Sequence, residues 1–100
     1  SGWRYFDWYK SFKPVENDWI FHAEHGWQYV VGNDSSNLFI WDLALGRWMF
    51  TREGLYPWFY AFGADATWVW YFEDASPGSR IFGRGDTDEI VTEAQLRVAP

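Results

Sequence analysis

Large aromatic side chains recur at every second position along six short runs of the chain, 18–22, 27–31, 37–42, 47–51, 57–62 and 67–72. Alternation with a period of two is typical of β-strands that have two unlike faces. One phase of these runs holds fourteen aromatic residues, whereas the other phase holds only Phe59 and Tyr71. The fourteen are Trp19, Phe21, Trp27, Tyr29, Phe39, Trp41, Trp48, Phe50, Trp58, Tyr60, Phe62, Trp68, Trp70 and Phe72. The pattern predicts an all-β fold with nearly all the rings on one face of a sheet.

The six runs pair into three predicted hairpins of about twenty residues each. Four-residue connections at 23–26, 43–46 and 63–66 separate the two strands of each hairpin, and two of these connections end in glycine. Loops of this length that contain glycine are common in hairpins. Trp27, Trp48 and Trp68 each begin the second strand, at spacings of 21 and 20 residues. The chain therefore contains an internal repeat of one hairpin per unit.

The chain is predicted to be a single domain, 1–100, with three parts. Residues 1–17 are an aromatic lead-in without clean alternation, which we expect to be irregular or briefly helical and to lie over the sheet. Residues 18–92 hold the hairpins, including a fourth, degenerate one at 80–83 and 89–92. Residues 93–100 form a tail, in which Thr92 and Gln95 resemble a capping box and predict one helical turn over 93–97.

These elements predict an antiparallel meander of about seven to eight strands, either an open twisted sheet or sandwich, or a small barrel. A small barrel has little room inside, so it would bury the other phase, namely Ile20, Val30, Leu38, Ile40, Met49, Ala61 and Val69. We favour burial of most of the aromatic phase, because fourteen rings represent on the order of 2,000–3,500 Å² of apolar surface. The other phase also carries residues that suit water, namely His22, Gln28, Asp42, Arg47 and Thr51.

Charge and composition exclude several classes of partner. The net charge is −6, which disfavours nucleic acid, because binding to phosphates needs a basic patch. No run of eighteen apolar residues exists, so we expect no membrane insertion. Cysteine is absent, which excludes disulfides and thiolate metal sites.

Two groups of residues have the composition of metal sites, but neither has a complete ligand pattern. His22, Glu24 and His25 would need a fourth zinc ligand from elsewhere, so we interpret both histidines as structural. The acidic loops at 33–37, 73–74 and 86–89 offer oxygen ligands for calcium, but they match no known calcium loop and are interpreted as turns. The sequence predicts no cofactor.

No residue set indicates a reaction, so we expect that the chain is not an enzyme. The serines at 35, 36, 76 and 79 lie in polar loops without a nucleophile elbow, and the carboxylates show no sign of pairing. The remaining candidates are aromatic residues near linkers and strand ends. Flat indole and phenol rings can stack on the C–H faces of sugars while nearby polar groups take the hydroxyls. This logic selects Trp41, Asp42, Tyr56, Trp58 and Trp70 as a predicted glycan platform.

The order of these landmarks resembles a tryptophan-rich hairpin-repeat module of surface and secreted proteins from verrucomicrobial and related bacteria. The resemblance covers about residues 3–83, differs at Ile81 where an aromatic is expected, and leaves the tail unmatched. It rests on Trp8 and Phe12, Trp19-Ile20-Phe21-His22, Glu24-His25-Gly26-Trp27, Tyr29-Val30, Trp41-Asp42, Leu45-Gly46, Thr51, Tyr56-Pro57-Trp58, Tyr60, Trp68, Trp70-Tyr71 and Arg80-Ile81-Phe82.

The resemblance implies an extracytoplasmic accessory module of a larger exported protein, and it brings no catalytic residues. Together with the aromatic platform, it predicts a non-catalytic module that binds polysaccharide or cell-envelope glycan. The alternative is a structural or protein-interaction module that self-associates or docks a partner domain. Targeting signals are expected elsewhere in the parent protein, because the chain contains no basic segment followed by an apolar one.

Overall fold

The computed structural model describes residues 2–31 and 36–98. It contains one open antiparallel sheet of ten strands, in which every strand lies beside its neighbours in the sequence. The strands are β1 (Arg4–Phe6), β2 (Lys10–Pro14), β3 (Trp19–His22), β4 (Gly26–Val31), β5 (Leu38–Asp42), β6 (Arg47–Thr51), β7 (Trp58–Ala61), β8 (Thr67–Tyr71), β9 (Ile81–Arg84) and β10 (Ile90–Thr92). A 3₁₀ turn at Glu16–Asp18 precedes β3, and a helical turn, α1, spans Glu93–Leu96.

The three predicted hairpins and the degenerate fourth are confirmed, with strand ends within one residue of the predicted bounds. The predicted number of strands is too low, because the lead-in is itself a hairpin. In that hairpin Arg4 lies opposite Phe12 and Phe6 lies opposite Lys10. Lys10 adopts a positive φ of 69°, which lets the chain leave the tight turn at 7–9 directly into β2.

The sheet curls around one face, which we call the inner face, so that strands distant in the sheet meet across it. The ring of Tyr9, between β1 and β2, lies 5.1 Å from the ring of Tyr56, which precedes β7. The hydroxyl of Tyr71 on β8 donates a 2.6 Å hydrogen bond to Glu24 in the β3–β4 loop. Strand twist accumulates in wide sheets and makes such curling common at about ten strands. Among the described residues β1 pairs with β2 alone and β10 with β9 alone, so the sheet stays open.

The core lies on the inner face and is built from the phase with few aromatic residues. Its least exposed apolar side chains, each at most 1% exposed, are Tyr9, Ile40, Leu45, Met49, Phe59, Ala61, Val69, Tyr71, Phe82 and Leu96. The prediction that most of the aromatic phase is buried is therefore wrong. All fourteen of its rings lie on the opposite, outer face, and none of them is buried. A curled sheet, like a small barrel, has a narrow concave side that holds few large rings.

The helical turn α1 closes one end of the inner face. Leu96 is 1% exposed, and the backbone N–H of Val98 donates to the carbonyl of Leu45 at 3.0 Å. The predicted capping box is present: Thr92 Oγ1 accepts from the Gln95 N–H at 3.3 Å, and Gln95 Oε1 accepts from the Thr92 N–H at 2.9 Å.

Replacing Thr92 with alanine should lower the free energy of unfolding by about 1 kcal/mol, because the Gln95 N–H loses its side-chain acceptor. Chemical denaturation would measure the change. Thr92→Ser is the matched control, since it keeps the hydroxyl and should stay close to the unmodified chain. Equal losses in both variants would contradict a capping role for the hydroxyl.

Candidate binding face

The outer face presents aromatic rings in cross-strand pairs. In each of the first three predicted hairpins two such pairs form, and five of the six are edge-to-face, with ring centroids 5.1–5.7 Å apart. The sixth, Phe39–Phe50, is tilted at 47° and 4.9 Å. The pairs are Trp19–Tyr29, Phe21–Trp27, Phe39–Phe50, Trp41–Trp48, Trp58–Trp70 and Tyr60–Trp68. Edge-to-face packing at this spacing is favourable beyond area burial, so neighbouring rings hold one another in place.

Half of the fourteen rings remain exposed to solvent by more than a third of their surface. Their exposed fractions run from 37% at Trp58 to 46% at Phe39. The exposed rings are Trp27, Phe39, Trp48, Trp58, Phe62, Trp68 and Phe72, and the other seven are half-buried. Fixed, half-exposed rings in this number form a large apolar surface of the kind that usually marks a contact site.

Three of the five predicted platform residues lie on this outer face. Trp58 and Trp70 form one ring pair at 5.2 Å, and Trp41 pairs with Trp48 at 5.7 Å. Trp41 belongs to β5 and Trp58 to β7, with β6 between them. The three rings therefore share a face but occupy separate ring pairs.

The other two predicted platform residues, Asp42 and Tyr56, do not lie beside the outer tryptophans. Asp42 is 1% exposed on the inner face, because side chains alternate along β5 and its neighbour Trp41 points outward. Tyr56 packs against Tyr9 and Phe59, and its hydroxyl lies 3.0 Å from His25 Nε2. Burial raises the pKa of Tyr56 well above its ordinary value.

Two clefts cross the outer face diagonally between tryptophans. The Trp19 cleft has a volume of about 590 Å³ and is lined by Val15, Glu16, Trp19, Trp27 and Leu43. The Trp58 cleft has a volume of about 470 Å³ and is lined by Leu55, Trp58, Thr67, Trp68, Gly85 and Asp86. Both clefts are shallow and open to solvent, so a ligand would lie across them on the surface.

Sequence reasoning selected Trp58 but missed the other three tryptophans that line these clefts, Trp19, Trp27 and Trp68. A signal for them was present in the repeat. Trp27 and Trp68 begin the second strand of their hairpins, and Trp19 and Trp58 occupy matching positions in the first strands, opposite Tyr29 and Trp70. The diagonal pairing of these positions was readable from the alternation.

The inner face holds a buried polar group that we call the Arg80 cluster: Arg80, Asp42, Glu93 and His25. Arg80 is 1% exposed and donates two hydrogen bonds to the Asp42 carboxylate, Nη1 to Oδ2 at 2.8 Å and Nη2 to Oδ1 at 2.9 Å. Its Nη2 also donates to Glu93 Oε1 at 3.2 Å, and its Nη1 to His25 Nδ1 at 2.9 Å. Arg80 Nε lies 3.1 Å from Glu93 Oε2 but is not aimed to form a hydrogen bond.

The two histidines are fully occupied by hydrogen bonds within the fold. His22 Nδ1 accepts from the backbone N–H groups of Glu24 and His25 at 3.0 and 3.2 Å, and its Nε2 lies 2.6 Å from the Tyr9 carbonyl. Among residues 2–31 and 36–98, no three His, Asp or Glu side chains are grouped so that they could hold a metal ion.

Of the loops considered for calcium, 33–35 lie outside the described residues. At 84–86 the Asp86 carboxylate receives two hydrogen bonds from Arg84, Nε at 3.0 Å and Nη2 at 2.9 Å. Arg84 also contacts Asp65, at 3.3 Å between Nη1 and Oδ2. The hydrogen bonds from Arg84 hold the pKa of Asp86 below its ordinary value.

Within the described ranges no helix has the length and hydropathy needed to cross a lipid bilayer. Comparisons with protein-family models, with curated proteins and with solved structures found no match to this chain. The resemblance to the verrucomicrobial hairpin-repeat module thus stays a prediction that rests on the residues given above.

Proposed function

We propose that this chain is a non-catalytic binding module that recognises polysaccharide or cell-envelope glycan through the aromatic rings of its outer face. The observation that carries the proposal is that fourteen aromatic side chains lie on one accessible face and none is buried. A domain that needed these rings only for packing would bury them, since each ring can bury about 150–250 Å². Rings fixed in pairs offer flat apolar walls without a large loss of side-chain entropy on binding.

The binding residues of this proposal differ from those predicted from the sequence. Trp41, Trp58 and Trp70 remain as candidates on the outer face. Asp42 and Tyr56 instead form contacts on the inner face. We further propose that the module belongs to a larger exported bacterial protein and works outside the cytoplasm, as the resemblance implies. Several shallow sites on one face would bind a polymer with higher avidity than any one of them alone.

Affinity electrophoresis in native gels that contain soluble polysaccharides tests the proposal directly. Migration of the protein should be retarded in at least one gel of a panel that covers glucans, galactans, mannans and uronic acid polymers. An unrelated acidic protein of similar size is the control for changes in gel viscosity. Unchanged migration in every gel would remove the proposed function.

A second candidate is a structural or protein-interaction module. Two observations favour it. The outer apolar surface is large, and neither edge strand has a second partner in the part of the chain that the structure describes, with Ile90 on β10 exposed to 68%. Unpaired edges and apolar patches both favour association of chains. Size-exclusion chromatography with light scattering separates the candidates. A stable dimer with tryptophans shielded from acrylamide quenching favours association, whereas a monomer with quenchable tryptophans favours glycan binding.

A further inference from the structure

The two outer-face clefts occupy equivalent positions in the hairpin repeat. In the first hairpin Trp19 lies opposite Tyr29 and Phe21 opposite Trp27, and the cleft joins Trp19 to Trp27 along the diagonal. In the third hairpin Trp58 lies opposite Trp70 and Tyr60 opposite Trp68, and the cleft joins Trp58 to Trp68. The same two strand positions thus supply both indole walls in each cleft.

The chemistry of the two clefts also matches. Each has two indoles, one leucine and one carboxylate, with Leu43 and Glu16 in the first and Leu55 and Asp86 in the second. The leucine and the carboxylate of the first cleft come from loops that do not correspond to those of the second cleft. The similar composition of the two clefts therefore does not follow from the strand repeat alone. Two sites with the same set of walls point to the same kind of ligand in both.

The walls are held in place before any ligand binds. Trp27 packs edge-to-face on Phe21 at 5.1 Å and 73°, and Trp68 packs on Tyr60 at 5.3 Å and 72°. Both indoles nevertheless keep 40–44% of their surface exposed. Preformed walls reduce the entropy cost of binding.

Gly85 brings the loop that carries Asp86 close to the Trp58 cleft. A Cβ at position 85 would lie 2.9 Å from the backbone oxygen of Trp68, so only glycine allows this approach. Its N–H donates to that same oxygen at 2.7 Å. The two hydrogen bonds from Arg84 then fix the Asp86 carboxylate, an acceptor of defined position at the cleft.

We propose that the two clefts are equivalent subsites for neutral, β-linked sugars of gluco configuration, an inference that rests on the glycan-binding function proposed above. A sugar ring that stacks on an indole needs an apolar face. Pyranoses whose hydroxyls are all equatorial meet this condition, because their axial C–H bonds line both faces. An axial hydroxyl would turn a polar group toward an indole and lose its hydrogen bond to water.

The charges of the clefts favour a neutral sugar. Glu16 and Asp86 can accept hydrogen bonds from equatorial hydroxyls, which project from the edge of the ring toward such groups. The Glu16 carboxylate and the net charge of −6 oppose uronate or sulfate groups, whereas the charge of Asp86 is paired with Arg84. Two separate subsites on one face further suit a polysaccharide, because two neighbouring chains can each occupy one of them.

Titration with cellohexaose, followed by the indole N–H signals of the nine tryptophans, tests the inference. We expect two saturable sets of shifts, one from Trp19 and Trp27 and one from Trp58 and Trp68. Trp27→Ala should weaken binding at the first cleft about tenfold or more and leave the second unchanged. Trp68→Ala should do the reverse, so that each variant binds one equivalent in place of two.

Trp48→Ala is the matched control. Trp48 holds the same repeat position as Trp27 and Trp68, is 40% exposed and packs edge-to-face on Trp41 at 5.7 Å, yet it lines neither cleft. Binding of two equivalents should persist in this variant. If an alanine variant fails to fold, indole signals assigned by single Trp→Phe substitutions still locate the sites in the unmodified protein.

The outcomes separate this inference from the function on which it rests. Shifts confined to Trp41 and Trp48, or a loss in Trp48→Ala equal to that in Trp27→Ala, would overturn the cleft assignment while glycan binding stands. Binding of galactans, mannans or uronic acid polymers without any response to cellohexaose would overturn the gluco assignment alone. The absence of a shift with every polysaccharide of the panel would remove both the inference and the proposed function.

Discussion

Asp42→Ala should lower the free energy of unfolding by about 3–5 kcal/mol, the usual result of removing one partner from a buried ion pair. Asp42 and Arg80 are each 1% exposed, and the substitution leaves the Arg80 guanidinium without its bidentate acceptor. It also removes the acceptor for Gln28 Nε2 at 3.0 Å and for the Leu45 N–H at 3.1 Å. Small domains have a free energy of unfolding of about 5–15 kcal/mol in total, so this substitution should remove a large share of the stability.

Urea denaturation at low temperature, followed by circular dichroism, would measure the loss. Asp86→Ala is the matched control, because Asp86 also forms a bidentate pair with an arginine, but on the surface. Exposed pairs contribute little, since water screens both charges, and the control should unfold close to the unmodified chain. Similar small losses in Asp42→Ala and Asp86→Ala would show that the Arg80 cluster does not stabilise the fold.

The strands and their order were readable from the sequence, because their signals are local. Alternation and glycine-containing loops located the hairpins between positions 18 and 72 to within a residue, and the Thr92–Gln95 pattern located the last helical turn. The hairpin of the lead-in was missed, because β1 has only three residues and its turn interrupts the alternation. A period of two needs at least four or five residues to be recognised.

The choice of buried face could not be read from the alternation, which separates two faces without saying which one is covered. His22, Gln28, Asp42 and Arg47 appeared suited to water, yet each is at most 3% exposed. Their partners are distant in the sequence: Asp42 pairs with Arg80, and Arg47 donates to the carbonyl of Leu96 at 3.1 Å. A polar side chain is buried at low cost only when such partners exist. The residues around Asp42 in the sequence do not indicate that its partner lies 38 residues away.

The wrong choice of buried face explains why Asp42 was included in the predicted glycan platform. Asp42 was selected because it follows Trp41, but neighbours along a strand point to opposite faces, so a tryptophan and the next residue cannot serve one ligand on the same face. Residues two apart, or on the next strand, share a face. Applying that rule to the repeat leads to Trp27 and Trp68, which lie diagonal to Trp19 and Trp58.

Acidification from pH 7 to pH 5 should destabilise the protein strongly, because both histidines are held neutral in the folded state. His22 Nδ1 accepts two backbone N–H groups, and His25 Nδ1 accepts from Arg80, so a proton on either atom would face a donor. Burial lowers the pKa of His22, opposed by its contact with the Tyr9 carbonyl and by Glu24. Burial, reinforced by His22 and Arg80, lowers the pKa of His25 well below 6.5.

The direction of the stability change with pH follows from proton uptake by the histidines. Below pH 6.5 each histidine takes up a proton in the unfolded chain but stays neutral in the folded chain. The free energy of unfolding is therefore at its full value above this pH and decreases below it. The free energy of unfolding should fall by about 1.4 kcal/mol per pH unit for each histidine, until the pH reaches the folded pKa. The lowered pKa values of Asp65 and Glu93 act in a separate window that begins below their ordinary values of 3.8 and 4.5. The loss between pH 6.5 and pH 5 therefore belongs to the histidines.

Urea midpoints measured at half-unit steps from pH 8 to pH 5 would show the effect. His22→Asn is the informative variant, since its side-chain oxygen can replace Nδ1 as acceptor for the Glu24 and His25 N–H groups but cannot titrate. It should lower stability at pH 7.5 and reduce the slope below pH 6.5, leaving the contribution of His25. Urea midpoints that do not change between pH 7 and pH 5 in the unmodified protein would contradict this prediction. They would show that the inner face tolerates charged imidazole groups.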